Sequence, residues 1–119
     1  MSRALFLLFV LFIASHCKRG DPADEERFAC GVRDPVKNLK WLNDQSKLLV
    51  GGPKINGIVL YRYNGNEVIE IQSSLASSTN MHQYSCNGVK LNLEDPELFK
   101  DYRATRTEIK VLYGTKLWP

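Results

Sequence analysis

Histidine, cysteine and tryptophan are scarce, with two, three and two among 119 residues. One of the histidines, His16, precedes the region expected to fold, so His82 alone is left there and a His-rich metal site is excluded. Three cysteines are too few for a disulfide-dense scaffold, and the odd number means that one needs its own explanation. No Cys-x-x-Cys occurs, so a thioredoxin-like redox centre is not indicated. Eight glycines and five prolines rule out collagen and low-complexity sequence. A large excess of one charge sign is missing too, since the formal net charge is only +3. The longest apolar run, Ala4 to Ala14, has eleven residues, well short of the roughly 20 that a transmembrane helix needs. The chain as a whole is 44% hydrophobic and 24% charged, which suits one small domain.

That apolar run follows Arg3 and ends at Ala14-Ser15-His16, and beyond it the chain turns polar and acidic through Asp24-Glu25-Glu26. A short basic start, a brief apolar stretch and a polar flank are the marks of an export signal over residues 1–16. Cys17 comes next, and the context resembles a lipobox, in which small residues precede a cysteine that is diacylated on sulfur. Ala14 and Ser15 fit that pattern; His16, directly before the cysteine, departs from it. Several acyl chains at about 0.8 kcal/mol per buried CH₂ would anchor the protein stably without spanning the bilayer. Lys18 stands where the familiar inner-membrane retention signal has Asp, which by resemblance favours the outer membrane. Periplasmic or freely secreted protein is the alternative. Residues 17–29 read as the lipidated cysteine and a flexible tether, and residues 30–119 as a single domain. With Cys17 assigned to lipid, Cys30 and Cys86 remain as an even pair in an oxidising compartment, where a disulfide is expected.

Inside the domain, Asp34-Pro35 and Asp95-Pro96 pair a capping carboxylate with a proline at the first helical position. The first opens a helix over about 35–48, with Trp41, Leu42, Leu48 and Leu49 on the packing side and Lys37, Lys40, Asp44 and Lys47 opposite. The second opens a short helix carrying Leu98, Phe99 and Tyr102. Asn64-Gly65, between two β-rich runs, predicts a hairpin with Leu60 facing Ile69, Ile58 facing Ile71 and Arg62 ion-paired with Glu67. Asn87-Gly88 predicts another, with His82, Tyr84 and Cys86 opposite Leu93, Leu91 and Val89. A last strand over about 107–113 alternates Ile109, Val111 and Tyr113 with Glu108 and Lys110. The expected fold is α+β, a small antiparallel sheet of about five strands in the order α-β-β-β-β-α-β, with one main and one short helix covering one face.

No constellation for catalysis stands out. His82 at the end of an apolar face reads as a core histidine. The serines of 73–78 lack a Gly-x-Ser-x-Gly context, and Gly51-Gly52-Pro53-Lys54 lacks the length and hydroxyl of a P-loop. Glu67 and Glu70 fall on opposite faces of one strand, which defeats shared acid–base work. Arg103, Arg106, Lys110 and Lys116 gather near Tyr113 and Trp118, a pattern that suits solvated strand residues better than a surface for an acidic glycan or headgroup. Loss of the leader removes only Arg3 and leaves a diffuse formal +2, too little for nucleic-acid binding. The expectation is therefore a non-enzymatic binding or structural module of the cell envelope, without cofactor or metal, meeting an envelope protein or glycan. A small hydrolase is the less favoured reading.

Cys30-Gly31-Val32-Arg33-Asp34-Pro35, leading into Leu39-Lys40-Trp41-Leu42, and Tyr61-Arg62-Tyr63-Asn64-Gly65 further on, resemble a group of small uncharacterised lipoproteins of Bacteroidota. The resemblance covers about residues 30–88 and implies export, lipidation and a compact domain, but no activity.

Overall fold

The structure, a computed structural model, describes residues 28–119. The export signal of 1–16, Cys17 and all but the last two residues of the tether lie outside the described residues. Phe28 and Ala29, assigned to that tether from sequence, belong to the folded unit: β1 (Phe28–Ala29) pairs antiparallel with β2 (Val32–Arg33). Ala29 is buried in the core. Cys30 and Gly31 join the two strands with φ of 55° and 71°, the positive pair that a tight type I′ turn requires.

Two helical pieces follow, α1 (Pro35–Asn38) and α2 (Lys40–Ser46), in place of the single helix expected over 35–48. The break is at Leu39, which is extended at φ −92° and ψ 109°. Its cause is packing. Val36, Leu39, Trp41 and Leu42 all meet the core, yet on one straight helix they would spread over roughly 220° at 100° per residue. Breaking the helix turns all four inward. Pro35 does occupy the first turn, but Asp34 does not cap through its carboxylate: the residue is left-handed at φ 49°, and its backbone carbonyl takes the Lys37 and Asn38 N–H groups at 3.0 and 2.9 Å.

The sheet is built on β3 (Asn56–Tyr63) and β4 (Asn66–Ser73), joined by Asn64-Gly65 with φ of 51° and 78°. The register is the expected one, Leu60 facing Ile69, Ile58 facing Ile71 and Arg62 facing Glu67. The Arg62–Glu67 ion pair is not among the ion pairs of the described residues; the Glu67 carboxylate takes the Cys30 N–H at 2.6 Å. β5 (Gln83–Ser85) flanks β4, and β6 (Thr107–Gly114) flanks β3, which gives an antiparallel sheet in the order β5-β4-β3-β6.

The second hairpin departs from expectation. Ser85 N–H bonds to the Val89 carbonyl and Leu91 N–H to that of Gln83, with Tyr84 facing Lys90. The loop is thus three residues, Cys86-Asn87-Gly88, and Gly88 supplies the left-handed third position at φ 81°. The register lies one residue from that of a two-residue turn, and Val89 to Leu93 forms a single bridge rather than a strand. In β6, register shifts beside Ile58/Val59 and Leu60/Tyr61 break the alternation. Leu112 and Tyr113 therefore pack on the core, while Ile109 and Val111 are exposed at the edge.

The helices cover both faces, not one. Ile58, Leu60, Ile69 and Ile71 point to the side of Leu42 and Ala29. Strand alternation sends Val68 to the other side, where it packs with Leu93 and Tyr102. Tyr102 comes from α3 (Pro96–Thr105), whose start is built as expected: the Asp95 carboxylate accepts the Glu97 N–H at 3.0 Å. Both cores and the disulfide described below lie within residues 28–119.

Candidate functional site

Cys30 and Cys86 are joined by a disulfide, with their α-carbons 5.4 Å apart. The bridge ties the β1–β2 turn to the loop of the second hairpin. Cys86 reaches it from that loop and not, as the sequence suggested, from the inward face of a strand. Trp41 fastens the same loop by donating its indole N–H to the Cys86 carbonyl at 2.9 Å. Trp41 therefore packs beside the core, as expected, with Tyr84 against its ring at 5.3 Å. Next to the bridge, a cleft of about 430 Å³ opens between the two hairpin turns. Tyr63, Asn64, Asn66, Glu67 and Asn87 supply its aromatic and polar wall. Side-chain amides, one carboxylate and one ring are groups that grip a polar partner by hydrogen bonds and stacking.

The second polar centre is buried. Glu70 lies under α3, 1% exposed, and its carboxylate is paired with Arg106. Tyr102 donates its hydroxyl to that carboxylate at 3.0 Å, and Gln83 and Gln72 donate amide N–H groups at 2.9 and 2.8 Å. The Arg106 guanidinium stacks over the Tyr61 ring at 4.0 Å. Burial opposes its charge, but Glu70, with help from Tyr102, outweighs that and raises Arg106 above its ordinary pKa. Burial, then the Glu70 charge, pushes the Tyr102 phenol upward. The Gln72 carbonyl takes the Leu117 and Trp118 N–H groups at 2.6 and 3.1 Å, and Arg106 binds the Pro119 carbonyl at 2.6 Å. This network straps residues 117–119 across the sheet. A group so fully engaged is built to hold structure.

The remaining sequence candidates are dispersed. His82 sits 5.8 Å from Trp118, and burial, with Lys90 nearby, lowers its pKa. It lines a cavity of about 300 Å³ that also holds Ser73 and is lined by no carboxylate. Glu67 and Glu70 are on opposite faces, as read from sequence. The basic group near the C-terminus does not form one surface. Arg106 is committed to Glu70, Lys116 pairs with Glu108 at 2.6 Å, and Lys110 donates to the Phe28 carbonyl at 2.8 Å. The Glu70 cluster escaped sequence reading because Glu70 and Gln72 alternate with Ile69 and Ile71, the pattern of a strand with one wet face. The one clue was that α3, with Phe99 and Tyr102, also needed a surface to cover. No family model matches the chain, and no curated protein or solved structure is significantly similar to it.

Proposed function

We propose that the protein is an exported cell-envelope lipoprotein, anchored through acyl chains on Cys17, whose domain is a non-enzymatic binding or structural module. The observation that carries this reading is the Cys30–Cys86 bridge, because such bonds persist in extracytoplasmic compartments and are rare in the cytosol. With those two cysteines paired, Cys17 is the one left for lipid. Among the described residues no helix is long and apolar enough to cross a membrane. Lys18 after the cysteine favours the outer membrane, and the cleft beside the bridge suits an envelope protein or glycan as partner. Free secretion is the second reading; His16 fits neither the lipobox nor a small-x-small cleavage site ending at that residue, so it does not choose between the two.

The test is fractionation. Wild-type protein is expected in the membrane fraction and the Cys17→Ser variant in the soluble one; identical partitioning overturns the anchor. Mass spectrometry of the mature N-terminus separates an acylated Cys17 from a secreted product.

A further inference from the structure

The three most exposed large apolar side chains among the described residues are Leu48, Val50 and Leu75, at 72, 70 and 66%. They come from two separate loops, between α2 and β3 and between β4 and β5, yet they line one open cavity of about 300 Å³. Leu49, Ile71 and Tyr84 wall the same cavity and join the exposed residues to the core. Scattered surface leucines need no explanation, but a contiguous apolar patch does.

Their exposure is built in. The buried Asn56 donates its amide to the Val50 and Gly52 carbonyls at 2.8 and 2.9 Å, and the Thr115 hydroxyl holds the Pro53 carbonyl at 2.9 Å. Ser74 N–H bonds to the Ile55 carbonyl at 2.9 Å, lacing the two loops together. The first loop is thus fixed in a shape that holds Val50 in solvent.

Charge indicates what covers the patch. Residues 45–66 and 71–93 contain no aspartate or glutamate, although the chain has thirteen. Lys47 and Lys54 are exposed on the first loop. The nearest carboxylate along the chain, Asp44, is engaged by Lys40 at 3.0 Å. An apolar cavity lined by no carboxylate, on a loop that also exposes Lys47 and Lys54, complements an anionic bilayer, where acyl chains accept the apolar side chains and headgroup phosphates accept the ammonium groups.

We infer that this end of the domain is a membrane-interface surface. Leu48, Val50 and Leu75 enter the boundary between headgroups and acyl chains of an anionic bilayer, and Lys47 and Lys54 lie against the phosphates. This deepens the envelope reading above: the lipid on Cys17 sets where the domain is, and the patch sets which end faces the bilayer.

The experiment uses the chain from Lys18 onward, which keeps both cores and the bridge and lacks the apolar leader and Cys17, so its result does not depend on acylation. Co-sedimentation is measured with vesicles of phosphatidylcholine containing phosphatidylglycerol, and with phosphatidylcholine alone. The parent chain is expected to bind the anionic vesicles. Leu48→Ser/Val50→Ser/Leu75→Ser should lose at least tenfold in binding, while Val89→Ser, equally exposed but outside the cavity, should lose none. Lys47→Gln/Lys54→Gln should weaken binding to the anionic vesicles by about fivefold per lysine, with no change on neutral ones. Failure of the parent to bind, or equal binding by the triple variant, overturns the inference. So does a concentration-dependent dimer that the triple variant abolishes without any vesicle binding, since the face then belongs to a second copy. If Cys17→Ser releases the protein from cells while vesicle binding fails, the anchor stands and the surface falls.

Discussion

At the scale of single residues, the cost of burying charge is concentrated at Glu70 and Arg106, whose side chains are 1% and 5% exposed. Neither ion would be tolerated alone; together, with donors from Tyr102, Gln72 and Gln83, they satisfy one another. Breaking such a pair costs more than removing it, because the surviving partner is left charged and unsolvated. Arg106→Met should therefore destabilise the domain by about 3–5 kcal/mol. Glu70→Met/Arg106→Met should lose less than the two single losses added together. Guanidinium denaturation of the four proteins gives the cycle, and strict additivity would show that the pair is uncoupled. This cluster was hidden in the sequence because its members are scattered over 70–106 and each looks locally like a solvent-facing residue. Cys30 and Cys86 were legible for the opposite reason: parity and compartment chemistry act without regard to where the chain goes.

At the scale of elements, two Asn-Gly dipeptides with the same local signal make different turns. Asn64-Gly65 closes a two-residue hairpin whose strands pair over eight positions, so the turn length fixed its register and the apolar alternation agreed with it. Asn87-Gly88 lies beside the disulfide, and Trp41 holds its loop from below through the Cys86 carbonyl. Those long-range ties select a three-residue loop, which no local pattern announces. The helix break at Leu39 has the same origin, since core contacts override a continuous helical stretch. The two glycines therefore differ in what they tolerate. A Cβ on Gly65 meets nothing within 4 Å, whereas one on Gly88 would lie 2.7 Å from the Trp41 ring. Both positions have positive φ, so Gly65→Ala should cost about 1–2 kcal/mol for left-handed backbone alone. Gly88→Ala should cost clearly more and disturb the Trp41 emission spectrum. Equal losses for the two variants in thermal unfolding would mean that the loop does not rest on Trp41.

At the scale of the whole molecule, the α+β class could be read from the order of elements, but the covering of both sheet faces could not. That arrangement depends on which side α3 takes, and strand alternation placed Glu70 and Gln72 where water was expected. The result is two modest cores on either side of four strands. A domain of this size buries a limited share of its surface, and its net stability is a small difference between large terms. The bridge then weighs heavily. Cys30 and Cys86 are 56 positions apart, and the chain-entropy account gives about 4 kcal/mol for closing such a loop in the unfolded state. Cys30→Ala/Cys86→Ala should lower unfolding stability by about that amount, with the guanidinium midpoint falling accordingly. The bridge is a direct cross-link from the β1–β2 turn to the second hairpin, so the loss should not be uniform. Hydrogen exchange should accelerate first over residues 28–33 and 84–91, ahead of the paired centres of β3 and β4. A double variant as stable as the parent, with those segments still protected, would mean that packing alone holds the two turns together. The bridge would then be a consequence of the fold rather than one of its supports.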